Sequence, residues 1–155
     1  IASTSGTFDK NHTSKIGKLQ ICFHELTTCA ELNSAHLEHR EALVNLVLHG
    51  NKRATAGLLS EYETEGEAVE HVGELLAMVD NDGKHVGTLK VTRAEIVRFA
   101  DVPDEFALAE AEGDLNASDF RASHLAFWTR VGETVTDDTL VVTVYFNLLP
   151  KITHA

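Results

Sequence analysis

The sequence predicts a single mixed α+β domain, a small curved sheet with helices inserted between its strands. Three observations carry this. Helix-period and strand-period segments alternate along the chain. Asp80-Asn81-Asp82-Gly83 is a hairpin turn signal between two strand patterns. Near the C-terminus, Val141-Val142-Thr143-Val144-Tyr145-Phe146 is the continuous run expected of a buried strand.

In order, a first helix is predicted from about Ala35 to Leu48, with Ser34 as N-cap and Leu37, Val44, Val47 and Leu48 on one face. Gly50 supplies the left-handed residue that closes it. A short helix over Leu58 to Glu63 leads into the acidic loop Glu65-Gly66-Glu67. Glu74 to Val79 and His85 to Val91 are the strands of the hairpin, and Ala94 to Phe99 continues extended. Pro103 opens a short helix to about Ala111, which ends in Glu110-Ala111-Glu112-Gly113-Asp114. Ser118 is read as the cap of a helix from about Asp119 to Val131, on which Phe120, His124, Phe127, Trp128 and Val131 recur at helical spacing. Leu140 to Leu149 is the last strand.

With 155 residues, 43% of them hydrophobic, the chain suffices for one domain with a core. Residues 1–20 are polar and are expected to form a frayed tail, trimmed or artificial, leaving the domain over 21–155. No apolar run approaches the ~20 residues needed to cross a bilayer, and no signal-peptide pattern opens the chain. A cytoplasmic protein with no membrane partner is therefore expected. Cys22 and Cys29 have six residues between them, which is not zinc-ligand spacing, and two reduced thiols are expected. His36-x-x-His39 could touch one metal ion, but no third ligand accompanies it, so neither metal nor cofactor is expected.

Lys and Arg total 13 against 24 Asp and Glu, a formal charge of −11. That excludes long-range attraction to a polyanion and tight, non-specific duplex binding. It admits a small ligand or a single-stranded segment held in a pocket. Lys52 and Thr55 stand three residues apart between Gly50 and Gly57. A lysine beside a hydroxyl suits grasping a phosphate or activating a nucleophile. Lys52, Arg53 and Arg93 or Arg121 are the candidate phosphate contacts, and Tyr62 or Trp128 the candidate stacking platforms, although Trp128, like Phe127, is more often a core residue in such a position. On its apolar stripe, His124 is more often a hydrogen-bonded, half-buried residue than a proton shuttle.

Four features taken in order resemble the ASCH domain, a branch of the PUA-like superfamily of RNA-associated β-barrels, and in particular its longer bacterial members. They are Gly50-Asn51-Lys52-Arg53-Ala54-Thr55 after a helix ending Leu46-Val47-Leu48; Ala56-Gly57-Leu58-Leu59 followed by Glu61-Tyr62-Glu63; the Asp-Gly hairpin with Thr92 and Phe99-Ala100-Asp101-Val102; and Phe106-Ala107 with Ala109 to Asp114, followed by the helix bearing His124, Phe127 and Trp128. The resemblance implies a small barrel of about five or six strands with helices packed around it. It also implies a cleft lined by the Lys-Thr and Glu-Gly-Asp turns.

The catalytic set carried over from the family is Lys52, Thr55 and Glu112, with Glu110 the near competitor for the carboxylate. Gly50, Arg53, Tyr62, Glu110, Arg121 and His124 are the expected ligand contacts. The implied partner is single-stranded RNA, a nucleotide or a modified nucleoside, bound by a monomer or a homodimer. Three functions fit: RNA or nucleotide recognition with RNA hydrolysis, amide hydrolysis of acetylated cytidine as in small bacterial members, or binding without chemistry. In amide hydrolysis Thr55 would attack, Lys52 would take its proton and Glu112 would orient. In RNA cleavage Lys52 would stabilise charge on the phosphate, His124 would move protons, and no metal would be needed. The chain departs from the small members in carrying Gly57 where they have arginine, and in its extra length after Leu58.

Overall fold

The computed structural model describes residues 34–80, 82 and 84–150. The expected tail, Cys22, Cys29 and the side chains of Ser34, His36, Leu37 and His39 lie outside the described residues. The elements are α1 (Ser34–Leu48), β1 (Ala54–Leu58), α2 (Leu59–Glu65), β2 (Leu75–Val79), β3 (His85–Arg98), a 3-10 turn (Phe99–Asp101), α3 (Asp104–Glu110), α4 (Ala117–Arg130) and β4 (Leu140–Leu148). The mixed α+β class stands. Among the described residues the strands form one antiparallel sheet in the order β1-β4-β3-β2, four strands where the resemblance implies five or six.

Gly50 does what its sequence position predicts. It takes φ +81, its N–H donates to Val47 O, and Asn51 N–H reaches back to Leu46 O at 2.9 Å. This is the Schellman closure of α1. The Lys52 amide also donates to Leu46 O, at 3.0 Å, so the backbone at Lys52 is fixed to the end of α1.

The hairpin turn is built on Asp80, whose Oδ1 accepts from the amides of Asp82 and Lys84, both at 2.9 Å. Its side chain thus replaces a backbone partner within the turn. Asn81 and Gly83, read as part of the same turn, lie outside the described residues. The two predicted extended segments after the turn are one strand. Thr92 is the extra residue where the register shifts between Val91 and Arg93. A bulge lets a long strand bend without ending. β3 can therefore pair β2 from His85 to Lys90 and β4 from Leu89 to Arg98.

The sheet buries both faces. Ala54, Ala56, Leu58 and Val141 pack against Phe99, Phe106, Phe120 and Trp128 from the α3–α4 side. Val142, Val144, Phe146, Leu89 and Val91 pack with Val47 and Tyr62 from the α1–α2 side. Two covered faces explain the unbroken apolar run of β4, since alternation appears only when one face is wet.

Asn116, not Ser118, caps α4. Its side chain accepts from Asp119 N at 2.8 Å, and the Asp119 carboxylate accepts in return from Leu115 N. Both residues have capping chemistry. Starting the helix at Ala117 buries that residue, and its amide donates to Asp104 Oδ1 at 2.7 Å.

Tyr62 corrects a second expectation. It is in the core, 2% exposed, and its hydroxyl donates to Glu70 Oε2 at 2.8 Å. Its ring has no open face for a base. Trp128 is buried likewise, edge-on to Phe99 at 6.0 Å between centroids.

Burial, then the neighbouring Glu70 carboxylate, drives the Tyr62 pKa upward; burial raises that of Tyr145 as well, against the opposing charge of Arg93. A raised phenol contributes stability that is present below the ordinary tyrosine pKa of about 10 and is lost as pH rises above it, because only the unfolded phenol ionises there. The chain has two tyrosines. Titration of phenolate absorbance should therefore show neither half-ionised in the folded protein at about pH 10, with Tyr62 ionising only as the fold is lost. A native protein whose Tyr62 ionises at that pH would contradict its burial.

Candidate functional site

Five ionisable side chains converge where the loop before β1, the end of α3 and the middle of α4 meet. Lys52 comes first. Its backbone is pinned to α1, and the next amide, Arg53 N–H, donates to Ala109 O at 2.7 Å. Lys52 Nζ donates to Glu112 Oε2 at 2.7 Å and to the Glu110 backbone carbonyl at 3.3 Å. The carbonyls of Ala109 and Glu110 belong to the last turn of α3, where no intrahelical donor remains. A cation at this end also suits the helix dipole.

The turn after α3 sorts the carboxylates. Ala111 adopts φ 56, the only non-glycine left-handed residue among those described, followed by Gly113 at φ 100. A side-chain-bearing residue in this region costs about 1–2 kcal/mol, and such strain concentrates at functional sites. Its effect is to send neighbouring acids different ways. Glu110 points inward at 1% exposure, Glu112 turns to Lys52 at 16%, and Asp114 returns toward α4.

On α4, His124 lies between Phe120, stacked at 3.9 Å, and Trp128 at 5.3 Å. Its Nδ1 is 3.1 Å from Phe120 O, and a carbonyl only accepts, so Nδ1 carries the proton. Nε2 stands 3.1 Å from Glu110 Oε1, yet neither oxygen of Glu110 makes an aligned hydrogen bond among the described residues. Asp114 Oδ2 is 4.0 Å from His124 Nδ1, and Ser123 Oγ donates to both Asp114 oxygens.

The electrostatics follow from burial and from the single ammonium. Burial pushes the Glu110 carboxyl above the usual range, and Lys52 and His124 oppose this without reversing it. Burial pushes Glu112 the same way, but the charge and hydrogen bond of Lys52 prevail and hold it below the usual range. For His124, burial favours the neutral ring, and the facing Glu110 outweighs that, so its pKa is raised.

Of the residues singled out in the sequence, Lys52, Glu112, Glu110 and His124 come together. Glu110 and Glu112 are not alternatives, since both belong to the cluster. Thr55 does not join by hydrogen bond. It is opposite Val144 in the ladder and so shares that residue's face, whereas its neighbours Ala54 and Ala56 pack on the α3–α4 side. Its Oγ1 is buried with no hydrogen-bond partner among the described residues. Gly50 shapes the turn that leads to Lys52, and Arg53 is exposed beside it. Arg121 is directed to Ala100 O at 3.4 Å. Arg93 is engaged by Glu95 and Glu105 and lies over the Tyr145 ring at 4.6 Å, so it is not an idle phosphate contact. Asp114 is indicated in the sequence only as part of a turn lining the cleft, and Ser123 is not indicated at all. The signal for Asp114 was its place in the Glu-Gly-Asp turn. Nothing local marks Ser123.

The model of the ASCH domain family matches residues 27–150. Among solved structures, the ASCH domain from Lactobacillus crispatus JV V101 is similar with a TM-score of 0.63 and 23% identity, covering 86% of this chain and 94% of that one. A DUF984-family protein from Enterococcus faecalis V583 gives a TM-score of 0.60 and 25% identity, covering 70% of this chain and 67% of that one. No curated protein is detectably similar.

The asymmetry of the cluster can be measured by urea unfolding. Lys52→Met leaves Glu110 and Glu112 without their cation and should destabilise the protein by about 3 kcal/mol. Glu112→Gln removes a charge that itself crowds Glu110, and should cost only about 1 kcal/mol. Equal losses in the two variants would mean that Lys52 is not the shared counter-ion.

Proposed function

Because the chain belongs to the ASCH domain family, a family linked to RNA binding, we propose that it recognises single-stranded RNA or a nucleoside at the Lys52–Glu112 pair. The observation that carries this is the burial of that pair, with Lys52 5% exposed, beside two further carboxylates and a histidine. Buried ion pairs seldom repay their desolvation in stability. Ionisable groups gathered at such a cost, next to a strained turn, are candidates for function.

The balance of charge favours recognition through the base. Glu112 and Asp114 are the parts of the cluster that reach solvent, and both accept hydrogen bonds. Exocyclic amino and ring N–H groups of a base donate to such acceptors, and an unstacked base presents them. A phosphate would meet carboxylates first and would have to displace Glu112 from Lys52. Base recognition also agrees with the −11 charge of the chain, since a pocket needs only a few placed polar groups. The isolated hydroxyl of Thr55 counts against amide hydrolysis with Thr55 as nucleophile. A serine- or threonine-type nucleophile needs a base within hydrogen-bond reach, and Lys52 is committed to Glu112 and Glu110 O.

The experiment is incubation of wild type, Glu112→Gln and Lys52→Ala with labelled single-stranded RNA, cytidine and acetylated cytidine, following both binding and products. Wild type should bind at least one of the three, and Glu112→Gln should weaken binding at least about tenfold, or 1.4 kcal/mol. RNA fragments or released acetate, lost in Lys52→Ala, would add hydrolysis to recognition. Binding and turnover unchanged in both variants would sink the assignment of the site.

A further inference from the structure

The arrangement of Glu110, Asp114 and His124 has the chemistry of a metal site. One donor atom from each lies within 4.8 Å of the other two. An acidic cluster alone would mean little. Here a second observation stands beside it. Glu110 is 1% exposed and both of its carboxylate oxygens lack a hydrogen-bond partner among the described residues. A buried carboxylate left so is costly, and a native structure answers that cost with a proton, a water or an ion.

The histidine narrows the choice. Since Phe120 O takes the Nδ1 proton, a metal ion would compete with the second proton for Nε2, the ring nitrogen that stands beside Glu110 Oε1. Nε2 and Oε1, 3.1 Å apart, are spaced as neighbouring ligands on one small cation would be. Bonds of about 2.0–2.1 Å to a histidine nitrogen and a carboxylate oxygen place the two donors about 3–3.4 Å apart. Donation of the other ring N–H to a backbone carbonyl is the usual support of a metal-bound histidine. Phe120 and Trp128 hold the ring plane. Asp114, tethered by Ser123, is the third donor and the one that must turn to close on an ion.

The charges balance as well. Lys52 compensates Glu112, and once His124 gives up its Nε2 proton to an ion, Glu110 and Asp114 carry a local charge that one divalent cation cancels. We propose that Glu110, Asp114 and His124 bind a divalent first-row transition ion, with Zn2+ the best match to one imidazole and two carboxylates and with solvent completing its coordination. The proposal goes beyond RNA or nucleoside recognition and does not depend on it.

The test is calorimetric titration of the chelator-treated 155-residue protein with ZnCl2, with Co2+ in parallel for its visible spectrum. Wild type should bind Zn2+ at one site with micromolar or tighter affinity, and its melting temperature should rise with added metal. Glu110→Gln and His124→Asn should each weaken that site by at least about a hundredfold, taking the loss of a ligand to match the upper range for lost supporting contacts. Glu110→Gln also removes a buried charge, so the metal-free variant should melt at or above the wild-type temperature, which separates lost binding from lost folding. Failure to bind Zn2+ or Co2+ below 1 mM would overturn the proposal, on the scale where affinity falls to about −4 kcal/mol. So would undiminished binding in both variants, which would place the ion on other histidines of the chain. RNA binding without metal binding, or the reverse, would leave the two readings separately decided.

Discussion

The Lys52 ammonium is the constraint on which the arrangement of the site depends. Its backbone is fixed by the Schellman turn of α1, and its side chain ends on the last carbonyl of α3 and on Glu112. The adjacent amide of Arg53 closes on Ala109 O. One short loop therefore fastens α1, β1 and α3 together, using donors of the loop to satisfy acceptors that a helix end leaves open. With α3 so placed, Asp104 at its start receives the first amide of α4, and His124 is set opposite Glu110. The carboxylates gather because the loop supplies one cation and several of them approach it. Removing the cation would leave acids crowded in a dry environment, which is why its loss is expected to matter more than the loss of any one acid.

The sheet explains why this cluster and Thr55 are separate. Both faces of β1 are covered, so consecutive side chains enter different cores. Ala54 and Ala56 face the helices that carry Glu110 and His124, while Thr55 faces the side of Val144 and Tyr62. A lysine and a threonine three residues apart look like partners in a sequence. In a strand with period two, that spacing points them to opposite sides unless the chain bends between them.

Much of this was legible because the signals are local. Gly50 marks the end of α1 by needing positive φ, and Asp80 to Gly83 marks a turn by its chemistry. What was not legible depended on packing. Tyr62 carries the same polar handle in the core as on a surface, so composition cannot say which face it takes, whereas Trp128 is marked as core by its place on the apolar stripe of α4. The choice of Asn116 over Ser118 was settled by burial of Ala117 and by Asp104, a residue on another helix. The bulge at Thr92 has no sequence mark beyond the end of one alternating pattern and the start of another. Glu110 and Glu112 look like rivals in the sequence because the resemblance supplies one downstream glutamate and two stand here. The left-handed Ala111 between them brings both to the site.

That strained alanine links fold to function. Glycine would adopt φ 56 more easily, and Gly113 stands two residues away. The turn nevertheless places an L-residue there, between a carboxylate buried against His124 and one paired with Lys52. The strain is small beside the cost of desolvating two carboxylates, and both are maintained by the same contacts: the ammonium, the ring of His124 and the closed end of α3. A turn selected for stability alone would relieve the first and expose the second. This one does neither, and the electrostatic arrangement it maintains is what a ligand or an ion would meet.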